Sequence, residues 1–245
     1  MALENKVVAI TGAGRGIGRA CALHLAERGA QLVLAARSEA ELAAVAEQID
    51  AGGGQAVYRA VDVTVRADLD ALVALACERF GRLDVFVNNA GIGPLGRFDA
   101  LQVDQWDAMI DVNLRGALYG IAAALPVFGR QRSGHIVNVI STAGIKILPT
   151  MGVYAATKNA LRTATEALRQ ESGAGLRVTE VSPGFIGTTF GDDSIADPEL
   201  KASLLKRKQA IAISPDAIAR AVAFAIDQPD DVEVGSIVVR PTAQD

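Results

Sequence analysis

Seven short aliphatic and β-branched runs alternate with helix-patterned stretches along the whole chain, and this alternation constrains the fold more than any single motif. The runs are 7–10, 31–35, 56–61, 83–87, 135–140, 176–181 and 235–239. A strand that reads as a nearly continuous apolar run is covered on both faces. That is the condition of a parallel sheet whose crossover helices lie above and below it. With 245 residues, half of them hydrophobic, the chain can bury one sizeable core. No proline-rich, serine-rich or single-charge linker breaks the series and no fixed-period repeat recurs, so one domain over 1–245 is expected.

The first run passes directly into Thr11-Gly12-Ala13-Gly14-Arg15-Gly16-Ile17-Gly18, and then into a helix-like stretch from Arg19 to Ala26. Glycines let the backbone turn tightly and come close to a ligand. The free amides and positive dipole end of the following helix favour an anion there. A dinucleotide pyrophosphate meets that description. The spacing is Thr-Gly-x-x-x-Gly-x-Gly, because Ile17 stands where Gly-x-Gly-x-x-Gly would place its third glycine. Taken by itself the motif also reads as a structural loop without a ligand.

Far downstream, Tyr154-Ala155-Ala156-Thr157-Lys158 puts a phenol and an amine four residues apart, on one helix face. An ammonium held close to a phenol favours the phenolate. The tyrosine pKa, near 10 when unperturbed, is therefore expected to fall toward working pH, giving a general acid or base. Alone, the same pair also reads as the edge of a solvated helix.

Composition removes several function classes. A formal net charge of −4 and a pI near 5.3 give no electrostatic reason to expect nucleic acid or an anionic membrane as partner. Lys206-Arg207-Lys208 reads as solvated helix surface. Cys21 and Cys77 lie in helical patterns and read as reduced, buried thiols rather than a disulfide or metal site. His24 and His135 are too few to build a metal site, and no metal is expected. The start of the chain lacks a signal-peptide pattern, and the most apolar segment, 116–129, is too short to span a bilayer. The expected location is the cytoplasm.

With the glycine turn, Asn88-Asn89-Ala90-Gly91, Ser141 and the Tyr-x-x-x-Lys pair in this order, the chain resembles the classical short-chain dehydrogenase/reductase family over essentially its whole length. The resemblance implies a Rossmann-type, doubly wound α/β fold with seven parallel strands, a nicotinamide cofactor, and hydride transfer between that cofactor and a carbonyl or alcohol carbon. It carries catalytic roles onto Asn113, Ser141, Tyr154 and Lys158. In reduction Tyr154 would donate a proton to the carbonyl oxygen while Ser141 stabilises the developing charge. Lys158 would lower the tyrosine pKa and hydrogen-bond the nicotinamide ribose, and Asn113 would hold a water linking the lysine to solvent. Read without the resemblance, Asn113 is a helix-interior polar residue bonded to nearby backbone, and Ser141 a strand-end turn residue. The resemblance also implies cofactor contacts at Gly12, Gly16, Ile17 and Gly18, at Asp62 and Val63 beside the adenine, at Asn89, Ala90 and Gly91 on the adenosine side, and at Pro183, Gly184, Ile186 and Thr188 beside the nicotinamide. It implies a homotetramer or homodimer as well, packed through helices around 104–130 and 155–171.

The residue ending the second strand decides between cofactors. An acid there binds the ribose hydroxyls of NAD and repels the phosphate of NADP. This chain reads Leu34-Ala35-Ala36-Arg37-Ser38, with no acid before Glu39, and Arg37 together with Arg15 suits a phosphate. NADP(H) is the expected cofactor. Segments expected around the substrate are 93–98, 142–153 and 185–213. Their Leu95, Ile145, Ile147, Leu148, Met151, Phe185 and Phe190 suit a small or medium, mainly apolar carbonyl compound, or else simply pack the core. The stretch 187–198 suits a mobile lid within a cover over about 185–213. Lys146 is either a contact for a substrate carboxylate or an exposed lysine. The ending Val238-Val239-Arg240-Pro241-Thr242-Ala243-Gln244 resembles a subgroup acting on 3-hydroxy acids, serine-like compounds and assorted aldehydes and ketones. A 3-oxoacyl-carrier-protein reductase, with Arg130 and Arg132 meeting an acidic carrier, is the competing activity. A non-catalytic NADP-binding regulator and a purely structural oligomer are the competing classes.

Overall fold

The computed structural model describes residues 3–191, 195 and 197–244. Seven strands, β1 (Val7–Thr11), β2 (Gln31–Ala36), β3 (Gln55–Ala60), β4 (Val85–Asn88), β5 (Gly134–Val139), β6 (Leu176–Pro183) and β7 (Ser236–Val239), form one sheet in the order β3-β2-β1-β4-β5-β6-β7. Every pairing is parallel, so each connection must cross over one face of the sheet.

Alternation along the strands builds two cores. Val8, Ile10, Leu32, Leu34, Val85 and Val87 point to one face, where α1 (Gly16–Ala26), α2 (Glu39–Ala51) and α8 (Asp216–Ile226) cover them. Val7, Ala9, Val33, Ala35, Phe86 and Ile136 point to the other face and meet α3 (Arg66–Phe80) and α5 (Gly116–Gln131). Both faces are apolar because both are covered, as the unbroken hydrophobic runs require. The helix α6 (Gly152–Glu171) packs beside β6 and presents Tyr154 and Lys158. The helix α7 (Pro198–Ile211), started by Asp197 accepting from the Glu199 and Leu200 amides at 2.9 and 3.1 Å, has no buried residue. It lies as an outer cover rather than a core element.

Where 116–129 alone reads as too short to cross a bilayer, the structure makes one 29-residue helical run from Val103 to Gln131. It comprises α4 (Val103–Met109), a π-helical segment (Ile110–Arg115) and α5. By length and composition it passes the test for a membrane span, but half of its most apolar window is buried inside the fold. Its apolar residues Ile121, Ala124, Val127 and Phe128 belong to the second core.

Candidate active site

Between β1 and β4 the strand order reverses direction, and a crevice opens there at the carboxyl ends of the strands. The cleft has a volume of about 1360 Å³ and runs from the end of β2 to the start of α6.

At one end is the glycine turn. Gly12 and Gly16 take left-handed φ values of +66° and +55°, which a side chain would strain. A Cβ on Gly18 would lie 2.1 Å from the Gly12 carbonyl oxygen, so α1 begins hard against the turn. Arg15, at the start of α1, makes no side-chain capping bond, and the first amides of the helix are left for another acceptor. Thr11 and Asn89 lock the turn to β4. The Asn89 and Ala90 amides donate to Thr11 Oγ1 at 3.0 and 3.1 Å, and Asn89 Nδ2 donates to the carbonyls of Thr11 and Gly12 at 2.9 and 3.2 Å.

Gly12, Arg15, Gly16, Ile17, Arg37, Asp62, Val63, Asn89, Ala90 and Gly91 line this half of the cleft. Ser141, Tyr154, Lys158, Pro183, Gly184, Ile186 and Thr188 line the other. Gly18 and Asn113 do not reach the surface of the cleft. Gly18 is buried behind the turn, and Asn113 is 1% exposed. Asp62 accepts from the Thr64 amide at 2.9 Å and hydroxyl at 2.8 Å; chiefly the amide bond holds its carboxyl below the ordinary 3.8.

At the other end Ser141 follows β5, and its Oγ accepts from the Ala143 amide at 3.1 Å. Lys158 is 4% exposed and donates to the Val139 carbonyl at 3.0 Å; burial lowers its pKa from 10.5 to about 8. Tyr154 differs from expectation. Burial pushes its phenol above 10, and the side-chain hydrogen bond with Ser141 opposes this only partly. The Lys158 amine is turned to the main chain of β5, and Phe190 lies across Tyr154 with ring centroids 5.9 Å apart. Phe190 also crowds Gly93, where a Cβ would sit 2.6 Å from its ring.

Asn113 accepts from the Ile92 amide and donates to the Ile92 carbonyl, both at 2.8 Å, and donates to Thr157 Oγ1 at 3.2 Å. Thr157 in turn donates to the Tyr154 carbonyl at 2.8 Å. Both amide hydrogens of Asn113 are thereby engaged, and the side chain ties the segment after β4 to the first turn of α6.

Leu95, Ile145, Leu148, Met151, Phe185 and Phe190 line the cleft with Lys146, but Ile147 is 73% exposed and lies outside it. Arg207 and Lys208, expected on solvated surface, line the cleft, and the Arg207 guanidinium stands 5.1 Å over the Phe185 ring. Arg240 lines it too. Of the lid expected at 187–198, Asp192, Asp193, Ser194 and Ala196 lie outside the described residues. Arg130 and Arg132 sit at the end of α5 remote from the cleft. Gln131 between them donates to the Leu83 carbonyl just before β4, at the amino end of the strands, opposite the carboxyl ends where the cleft opens.

Glu41 and Gln244 line the cleft although the sequence assigned neither a contact there. Glu41, on the first turn of α2, lies against the glycine turn, with its Oε2 2.8 Å from where a Gly14 Cβ would be. The spacing Ser38-x-x-Glu41 is a helix-start signature that could have put it there, and Ser38 Oγ accepts from the Glu41 amide at 3.3 Å. Gln244 carries no such signal; only the folding back of the chain after β7 brings it to the site.

The family profile described as short chain dehydrogenase matches residues 6–199. An uncharacterized oxidoreductase of Listeria monocytogenes is 46% identical over 247 residues, covering 100% of this chain and 99% of that protein. An alcohol dehydrogenase from the archaeon Thermococcus sibiricus, solved with 5-hydroxy-NADP, superposes with a TM-score of 0.88 at 33% identity, covering 99% of both chains. A short chain dehydrogenase/reductase from Burkholderia phymatum, solved with NAD, gives a TM-score of 0.89 at 29% identity, covering 97% of this chain and 90% of the other.

Proposed function

Because this chain belongs to the short chain dehydrogenase family and is an oxidoreductase of it, we propose that it is an NADP(H)-dependent reductase of small to medium carbonyl compounds. The observation that carries this reading is the meeting of Ser141, Tyr154 and a buried Lys158 at one end of a cleft whose other end is a glycine turn.

The residues present suit a dinucleotide. The left-handed Gly12 and Gly16, the uncapped start of α1 and the cationic Arg15 and Arg37 suit its phosphates. Asp62 and Val63 suit the adenine, Asn89, Ala90 and Gly91 the adenosine side, and Pro183, Gly184, Ile186 and Thr188 the nicotinamide side. When bound, the nicotinamide supplies the hydride. Tyr154, kept neutral by burial at ordinary pH, gives its proton to the carbonyl oxygen, and Ser141 hydrogen-bonds the charge developing there. A phenol held above 10 stays protonated near neutrality, which is the form the reductive step uses. Lys158 holds the ribose, and Asn113 takes a water on the path from Lys158 to solvent through its remaining oxygen acceptors.

Both NADP-type and NAD cofactors are found on this fold, so the choice rests on this chain's own residues. Arg15 and Arg37 favour the extra phosphate; Glu41 beside Gly14 opposes it. The apolar wall, rimmed by Lys146, Arg207 and Arg240, suits a 3-oxo or 3-hydroxy acid better than a wholly neutral ketone. An acyl-carrier substrate ranks lower, since Arg130 and Arg132 stand about 24 Å along α5 from its cleft end, at 1.5 Å per residue over 16 residues. A non-catalytic regulator would have no use for Ser141 and Tyr154 meeting beside Lys158, and a purely structural oligomer would have none for the glycine turn.

For assembly we propose a homotetramer or homodimer, on the exposed Val103, Ile110 and Leu118 along the long helical run. The free thiols Cys21 and Cys77 accord with a cytoplasmic location.

The test is NADPH oxidation at 340 nm over paired ketones, aldehydes and 3-oxo acids, with Tyr154→Phe alongside. Loss of roughly 10²-fold or more in kcat in the variant, with NADPH binding retained, is the expected result. NADPH binding without turnover on any substrate would instead favour the regulator.

A further inference from the structure

We propose that Gln244 is a positioning residue that holds the two walls of the catalytic end of the cleft at their working separation. The proposal rests on the reading of Ser141 and Tyr154 as the groups that meet the carbonyl oxygen.

One side-chain amide joins three segments distant in sequence. Gln244 Oε1 accepts from the Phe185 main-chain amide at 2.8 Å, and its Nε2 donates to Thr142 Oγ1 at 3.2 Å. Thr142 is the immediate neighbour of Ser141 and opens the 3-10 turn Thr142–Gly144, whose Ala143 amide orients the Ser141 hydroxyl. Phe185 follows Pro183 and Gly184 at the end of β6. The bridge therefore runs from the nicotinamide-side wall to the turn that carries Ser141.

The surrounding geometry is built around this contact. A Cβ on Gly184 would lie 2.2 Å from Gln244 Oε1 and 2.7 Å from the Arg240 Cβ, so the main chain there presses directly on the returning tail. A turn closed by the Gln244 amide donating to the Pro241 carbonyl at 3.0 Å, with Pro241 buried, seats the side chain. The Phe185 carbonyl accepts from Ile213, but its amide hydrogen goes to Gln244. Without Gln244, the Phe185 amide and the Thr142 hydroxyl lose the partner that links them, and the Ser141 turn loses its tie across the cleft.

The experiment compares Gln244→Ala, Gln244→Glu, Thr142→Val and the double variant Thr142→Val/Gln244→Ala. Each is read by kcat and KM on the carbonyl that wild type reduces fastest, by NADPH affinity, by Tm, and by residue-resolved hydrogen exchange at Phe185. Gln244→Ala should lower kcat about tenfold and speed Phe185 exchange at least tenfold, with NADPH affinity and Tm nearly unchanged. Thr142→Val should lower kcat less, and the double variant should be no worse than Gln244→Ala, because both remove one bridge. Gln244→Glu should restore most of kcat, since a carboxylate can accept from both the Phe185 amide and the Thr142 hydroxyl. Unchanged kcat and exchange in Gln244→Ala would overturn the proposal. So would a parallel loss of Tm, NADPH affinity and turnover, which is what simple unfolding of the tail gives. Wild-type protein that reduces no carbonyl would overturn the functional reading instead, and the exchange measurement would still decide the bridge by itself.

Discussion

Replacing Lys158 by methionine should make the protein more stable at pH 7 while abolishing turnover. The ammonium is 4% exposed, and burial lowers its pKa from 10.5 to about 8. At about 1.4 kcal/mol per unit, that depression corresponds to a cost of about 3 kcal/mol for keeping the charge inside the fold. Methionine fills similar volume without charge but leaves the Val139 carbonyl without its donor, a loss of about 1 kcal/mol. The net gain is about 2 kcal/mol, or roughly 4–8 °C in Tm for a chain of this length. The pH dependence identifies the cause. Below pH 8 the lysine is charged in both folded and unfolded chains, and the full penalty applies. Between 8 and 10.5 the unfolded chain holds the proton and the folded one does not, so wild-type stability recovers as pH rises. Thermal unfolding of both proteins at pH 7 and pH 10 should therefore show the variant ahead at the lower pH and level or behind at the higher. A variant less stable at pH 7, or a gap equal at both values, would refute the reasoning.

The same physics runs in the acid direction at His135, whose Nε2 donates to Thr179 Oγ1 at 2.8 Å because that hydroxyl already donates to the Val234 carbonyl; Nδ1 is left buried without a partner. Burial first, then the charges of Arg177 and Lys6, lowers its pKa from 6.5 to about 3, so stability present above pH 6.5 is lost as pH falls toward 3; urea unfolding of His135→Leu should gain about 2 kcal/mol on wild type at pH 5 relative to pH 7, and a parallel fall in both proteins would discount the idea. Gly18→Ala forces a Cβ to 2.1 Å from the Gly12 carbonyl, and should weaken NADPH affinity more than tenfold by fluorescence titration; unchanged affinity would mean that the turn tolerates movement. Arg37→Ala should cut the NADPH over NADH ratio in kcat/KM about tenfold and Glu41→Gln should raise it a few-fold, whereas equal ratios in all three proteins would remove both side chains from cofactor choice.

What the sequence discloses depends on whether a residue's role is set by its neighbours in the chain or by its neighbours in space. The five inner strands were legible because covering both faces demands near-continuous apolar runs, and the partly exposed edge strands β3 and β7 because their short runs keep the same alternation with helix patterns; each observed strand begins or ends within two residues of its run. The glycine turn was legible for the same reason: strand, turn and helix start are contiguous, and Gly12 and Gly16 need conformations that few residues adopt. Tyr154 marks the boundary. Its helical relation to Lys158 is local and correct, but its pKa follows from burial in the folded cleft, where Phe190, 36 residues away in sequence, packs on it and the lysine is turned toward β5, so the expected fall became a rise. Glu41 could have been found, since a helix-start signature fixes the turn it occupies. Gln244 could not, because nothing within its own segment distinguishes an amide exposed after a strand from one that reaches 102 residues back to the turn beside Ser141. The residues that bind or react in this cleft sit where local chemistry is unusual enough to read, while those that set distances between them are ordinary side chains given meaning only by the sheet order.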